Sequence, residues 1–118
     1  MKITILHNPR CSKSRKTLEL IETSGISPKI VAYLDTPPDA DRIVELAQMI
    51  GIPVCALLRK GEADFREATD LPELDDDKSL ADWLSRHPRV IERPIVVDEA
   101  SGRAILGRPP ENVLALLP

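Results

Sequence analysis

The stretch Lys2-Ile3-Thr4-Ile5-Leu6-His7-Asn8-Pro9-Arg10-Cys11-Ser12-Lys13-Ser14-Arg15 decides the fold. A short run rich in β-branched residues predicts a strand over Lys2–Leu6. A Pro-containing turn follows, and a helical pattern begins just after Cys11. Backbone N–H groups at a helix start lack intrahelical partners, and the helix macrodipole is positive there. A sulfur in that place is favoured as thiolate, and Arg10, Lys13 and Arg15 bring further positive charge close to it in sequence. Because the thiolate is the reactive form, Cys11 is the candidate nucleophile.

Working outward, the first helix is expected from about Ser12 to Ser24, with Leu18 and Ile21 facing inward and Gly25 as its stop. Lys29–Tyr33 reads as a second strand buried on both faces. Asp35-Thr36-Pro37-Pro38 cannot be helix interior, and Ile43, Leu46, Ala47 and Ile50 then recur at helical spacing up to Gly51. A short helical turn is expected after Pro53, carrying Cys55. Glu62 to Asp77 holds eight acidic residues and one Arg, and reads as a mobile or loosely helical acidic surface. Leu80, Trp83 and Leu84 mark another helix, started by an Asp cap and ended before Pro88, with His87 capping its last carbonyls. Pro94–Val97 and Arg103–Leu106 form a hairpin about Asp98–Gly102, and Pro109 opens a closing helix whose inner face is Val113, Leu114 and Leu117.

The predicted class is α/β: a mixed four-stranded sheet with helices on both faces and a helical insertion, in one domain spanning residues 1–118. A β-α-β start with a thiol at the first strand–helix junction is the thioredoxin-like plan. In that plan the proline opening the third strand is often cis, which makes Pro94 the candidate. Composition narrows the function. The net charge of −3 argues against a nucleic-acid binder relying on a basic field, and no apolar stretch approaches a signal segment or membrane span. Two cysteines without a Cys/His cluster give no metal site and fit a reduced cytoplasmic thiol protein. Arg59, Arg93 and Arg108 lie in or beside turns, and guanidinium forks match tetrahedral oxyanions.

The segments His7-Asn8-Pro9-x-Cys11-x-x-Ser14-Arg15, Tyr33-Leu34-x-Thr36-Pro37-Pro38, Leu57-Leu58-Arg59, Arg93-Pro94-Ile95-Val96-Val97 and Arg108-Pro109 together resemble the glutaredoxin-coupled arsenate reductase family. The resemblance runs nearly the length of the chain, in order and at compatible spacing. It implies that Cys11 attacks arsenate, that Arg59, Arg93 and Arg108 bind the oxyanion, and that His7, Ser14 and Arg15 shape the thiolate's surroundings. It also implies no bound cofactor, with glutathione as co-substrate and glutaredoxin as partner. Ser14 fills the second place of a C-x-x-C, so no redox disulfide can form there and external thiols must resolve Cys11. The family's resistance enzymes carry Gly-Thr where this chain has Ser12-Lys13, which looks more like the chromosomal relatives. Two alternatives are a general glutathione-dependent thiol oxidoreductase and an Spx-like, non-enzymatic regulator that binds RNA polymerase. Spx-type chains typically show C-x-x-C at this site, which counts against that reading. A phosphatase-like arsenate reductase needs C-x5-R, and position 17 is Thr.

Overall fold

The computed structural model describes residues 1–118. The chain divides into two compact units, residues 1–33 with 93–118, and residues 34–92. The first unit holds the sheet. Its elements are β1 (Ile3–Leu6), α1 (Ser12–Thr23), β2 (Lys29–Val31), β3 (Ile95–Asp98) and β4 (Arg103–Leu106), followed by a 3-10 segment, Pro110–Ala115. The strand order is β2-β1-β3-β4. β1 pairs parallel to β2 and antiparallel to β3, and β3 pairs antiparallel to β4. This is the mixed, thioredoxin-like sheet that the sequence predicts. Ile3, Ile5, Ile21, Val96, Val113 and Leu116 form one apolar cluster on the face where α1 meets the closing segment. On the opposite face Leu6, Ile95 and Val97 are also buried.

Local chemistry explains the element ends. Gly102, at φ 73°, donates to the Asp98 carbonyl and closes the β3–β4 hairpin, while the Asp98 carboxylate accepts from the Ala100 N–H. α1 stops at Ser24, and Gly25 takes the left-handed conformation that follows it. The Arg93–Pro94 bond is cis, as its placement predicts, and so is Arg108–Pro109.

Two expectations need correction. β2 is not buried on both faces: it is three residues long at the edge of the sheet, and Ile30 is 51% exposed. An Ile-Val-Ala run shows apolar character, but position in the sheet order is decided by pairings distant in sequence. The closing segment is 3-10 rather than α-helical, so residues three apart share a face. Val113 and Leu116 therefore point inward, Leu117 is only partly buried, and Leu114 is 54% exposed.

The second unit is helical. α2 (Ala40–Ile50) is capped by the Asp39 carboxylate, which accepts from the Arg42 N–H, and ends at Gly51 in the left-handed conformation. A 3-10 turn, Val54–Leu57, carries Cys55 as expected. α3 (Ala63–Arg66) is a single turn within the acidic stretch, and α4 (Asp77–Arg86) starts at the Asp76 cap and packs on α2. Leu80, Trp83 and Leu84 are fully buried on α4. The acidic stretch is anchored at Asp70, whose carboxylate accepts from Trp83 Nε1 at 2.9 Å. His87 donates from Nδ1 to the Trp83 carbonyl at 2.8 Å, the expected capping role, and stacks on the indole at 4.0 Å.

The corrected edge strand has a measurable consequence. Ile21 is fully buried in the sheet-side cluster, so Ile21→Ala should destabilise the chain by about 2–5 kcal/mol. Ile30→Ala should stay within about 0.5 kcal/mol, the range for an ordinary surface change. Chemical denaturation of the two variants checks the contrast.

Candidate active site

Cys11 is the N-cap of α1, with extended backbone at φ −95° and ψ 121°. Asn8-Pro9-Arg10-Cys11 forms the turn that puts it there. The Cys11 N–H donates to the Asn8 carbonyl at 3.0 Å, and the Asn8 side-chain oxygen accepts from the Arg10 N–H at 3.0 Å. The turn leaves β1 in register, because the His7 N–H still donates to the Val31 carbonyl on β2 at 2.9 Å.

The sulfur is half-buried, and burial alone would push its thiol up. The Ser14 main-chain N–H, the Arg93 guanidinium and the Lys13 main-chain N–H act against burial and together outweigh it. The net direction is down, toward thiolate. Ser14 and Lys13 are the third and second helical residues, whose N–H groups an N-cap acceptor ordinarily engages. The leading influences on the sulfur are thus main-chain N–H groups and Arg93. The side chains of Arg10, Lys13 and Arg15 are exposed. Arg15 donates to the Pro9 carbonyl at 2.9 Å and tethers the turn instead.

His7 and Ser14 form a buried pair beneath the turn, with His7 Nδ1 and Ser14 Oγ 2.7 Å apart. Ser14 Oγ also accepts from the Asn8 N–H at 3.0 Å. The Ser14 hydroxyl therefore braces the loop, while its main-chain N–H acts on the sulfur. Burial, then the nearby Arg15 charge, lowers the His7 pKa, with Glu22 opposing.

Arg93 precedes the cis proline at the start of β3, and its charge is favoured by Cys11 and Tyr33 close by. Burial works against its charge, but those contacts outweigh it, and the net direction is up. Arg108 donates from Nη1 to the Arg93 carbonyl at 3.2 Å. Cys11, Arg93 and Arg108 thus meet within the first unit: Arg93 acts on the sulfur, and Arg108 bonds the Arg93 carbonyl. Arg59 belongs to the second unit, where its guanidinium lies 3.6 Å from Glu62 and 3.5 Å from Glu92. No group of three or more His, Cys, Asp or Glu side chains is placed to hold a metal ion.

Sequence reasoning gave Tyr33 no role beyond a motif position and did not single out Gly107. A Cβ built on Gly107 would lie 2.6 Å from Thr17 Oγ1 and 2.7 Å from Pro94 Cγ. Its N–H donates to the Pro94 carbonyl at 2.9 Å. α1, the cis proline and the turn before Arg108 therefore meet at a point where only glycine fits. Its place between β4 and the Arg108-Pro109 motif was the available signal.

Two measurements test this electrostatic arrangement. The pH midpoint for alkylation of Cys11 by iodoacetamide should lie below the free cysteine value of about 8.5, and Arg93→Ala should move it upward. His7 titrates below its ordinary value of 6.5 in the folded chain, so the unfolded chain takes up its proton first as pH falls. The His7 contribution to stability is present above that value and is lost as pH drops through the lowered one. Thermal unfolding between about pH 7.5 and 5.5 should show this loss, and His7→Gln should flatten it.

The ArsC family model matches residues 6–116. An arsenate reductase of Escherichia coli strain K12 is 47% identical over 116 residues, covering 98% of this chain and 81% of that protein. An arsenate reductase of Neisseria meningitidis serogroup A is 42% identical over 118 residues, covering 98% of each. The solved arsenate reductase from Vibrio cholerae superposes with a TM-score of 0.87 at 42% identity, over 99% of this chain and 98% of that one. A family match over nearly the whole length, joined to relatives at this identity, assigns the chain plainly: it belongs to the ArsC family.

Proposed function

We propose that this protein is an arsenate reductase in which Cys11 is the nucleophile, working in the cytoplasm with glutathione and glutaredoxin as its reductants. The observation that carries the reading is the contact of Arg93 with a Cys11 sulfur held toward thiolate at the start of α1. An anion drawn to Arg93 and Arg108 arrives beside the nucleophile that must attack it. Arg59 is included as a third oxyanion ligand on its Leu57-Leu58-Arg59 motif.

The Cys11 thiolate bonds to As(V), and a hydroxyl leaves the arsenic as water after taking up a proton. Glutathione displaces a second hydroxyl in the same manner. A glutaredoxin thiolate then attacks the glutathione sulfur, forming a mixed disulfide. The electron pair of the broken S–As bond stays on arsenic, which becomes As(III). Water displaces the remaining thiolate, releasing arsenite and regenerating Cys11. The arginines hold the oxyanion and offset its charge, while the helix-start N–H groups and Arg93 keep the sulfur ionised. External thiols supply both electrons, which fits a site with Ser14 where a second cysteine would stand.

Arsenite release should require glutathione with glutaredoxin and should fail with thioredoxin alone. Cys11→Ser should abolish it, because a serine hydroxyl stays protonated at neutral pH. Cys55→Ser should retain most of it, since glutathione and glutaredoxin provide the later thiols. A folded but inactive Cys55→Ser would instead require an internal relay between the two cysteines and would overturn the proposed route.

A further inference from the structure

Arg108 lies on a turn that is held from both sides. The turn runs from Leu106 at the end of β4 through Gly107 to Pro109, ahead of the 3-10 segment. On its inner side Gly107 is held against Thr17 and Pro94, and the Arg108 guanidinium returns to the Arg93 carbonyl. On its outer side stands Asn112, one turn into the 3-10 segment. Its side-chain amide nitrogen donates to the Leu106 carbonyl at 3.2 Å and to the Arg108 carbonyl at 3.2 Å. Both partners are carbonyl oxygens, which only accept, so the NH2 end of the carboxamide must face them. The two bonds span the peptide units on either side of Gly107-Arg108, and an exposed side chain is the one that makes them.

We propose that Asn112 is a positioning residue for oxyanion capture: its forked amide fixes the Leu106–Arg108 turn so that Arg108 is aimed at the same anion as Arg93. This rests on the reading of Arg108 as an oxyanion ligand. A guanidinium on a long stem loses affinity when its main-chain anchor wanders, because the paired N–H···O geometry must then be found anew at each encounter. Asp is the informative replacement, since it matches Asn in shape but offers carbonyl oxygens no hydrogen to accept when ionised. Gln would place the amide one methylene too far.

The experiment measures protection of Cys11 from iodoacetamide by arsenate, which reports anion binding whether or not turnover follows. Asn112→Asp should weaken protection on the order of tenfold. Asn112→Ala, which removes the donors without adding charge, should move it in the same direction. In an Arg108→Ala background, Asn112→Asp should add no further loss, because the residue it positions is gone. A merely structural asparagine would give losses that add in the double variant, and that outcome overturns the inference. So does protection by Asn112→Asp within twofold of the parent protein. If the parent protein is protected but releases no arsenite, the reductase reading fails while the Asn112 comparison stands. If arsenate gives no protection to the parent protein, the anion pocket and this inference fall together.

Discussion

Everything in the first unit answers to one electrostatic constraint: a half-buried sulfur must carry charge where burial disfavours it. The chain meets that constraint mainly with dipoles. β1 delivers the backbone to a Pro9 turn, the turn hands Cys11 to the N-cap of α1, and the Lys13 and Ser14 N–H groups there favour the charged sulfur without a formal cap hydrogen bond. The Ser14 hydroxyl, bonded to His7 and to the Asn8 N–H, keeps the loop from relaxing away from that register. The only formal charge among the leading influences is Arg93, delivered from β3 across the sheet. Dipoles beside a half-buried sulfur are screened less by salt than the exposed cations of the same loop, whose reach in solution is about 8–10 Å.

The side of the site proposed to bind the oxyanion is built by bonds to main-chain carbonyls between segments distant in sequence. The Gly107 N–H donates to the Pro94 carbonyl and the Arg108 guanidinium donates to the Arg93 carbonyl, so Arg108 is joined to the backbone of Arg93. Neither link demands a particular side chain at the accepting end. Each requires that two chains approach closely, and Gly107 makes that approach possible by having no Cβ. Loss of that clearance would separate α1 from the β4 turn and move Arg108 with it.

What the sequence reveals and what it hides divide along physical lines. Caps and stops are local, so Asp39, Gly51, Asp76 and His87 could be read in place, and the helices carrying Leu46 and Trp83 followed. The thiol at the strand–helix junction and the cis proline before β3 follow from topology once the β-α-β start is recognised. The edge position of β2 depends on which strands flank β1, and the hydrophobicity of Lys29–Val31 carries none of that information. The closing segment misled because period 3 and period 3.6 diverge by little over six residues, enough to exchange Leu116 for Leu117. Nearby cations in the sequence suggested the source of the field at Cys11, yet side chains adjacent in sequence can point outward while Arg93 arrives from far along the chain. Tyr33 and Gly107 meet their partners only through such distant approaches, whereas Asn112 reaches back to Leu106 and Arg108 through a turn that its own side chain does not announce.

Holding the Cys11 sulfur at a helix N-cap also shapes how easily it departs. The forces that favour the anion over the thiol favour it equally as a leaving group, since a thiol of lower pKa is expelled more readily. On the proposed route, a sulfur bonded to arsenic would carry no full charge, and the favourable influence of the Lys13 and Ser14 N–H groups on it would weaken. Breaking the bond to arsenic would restore that influence. The helix start would therefore favour release of the sulfur, and the same backbone that promotes the adduct would keep it transient.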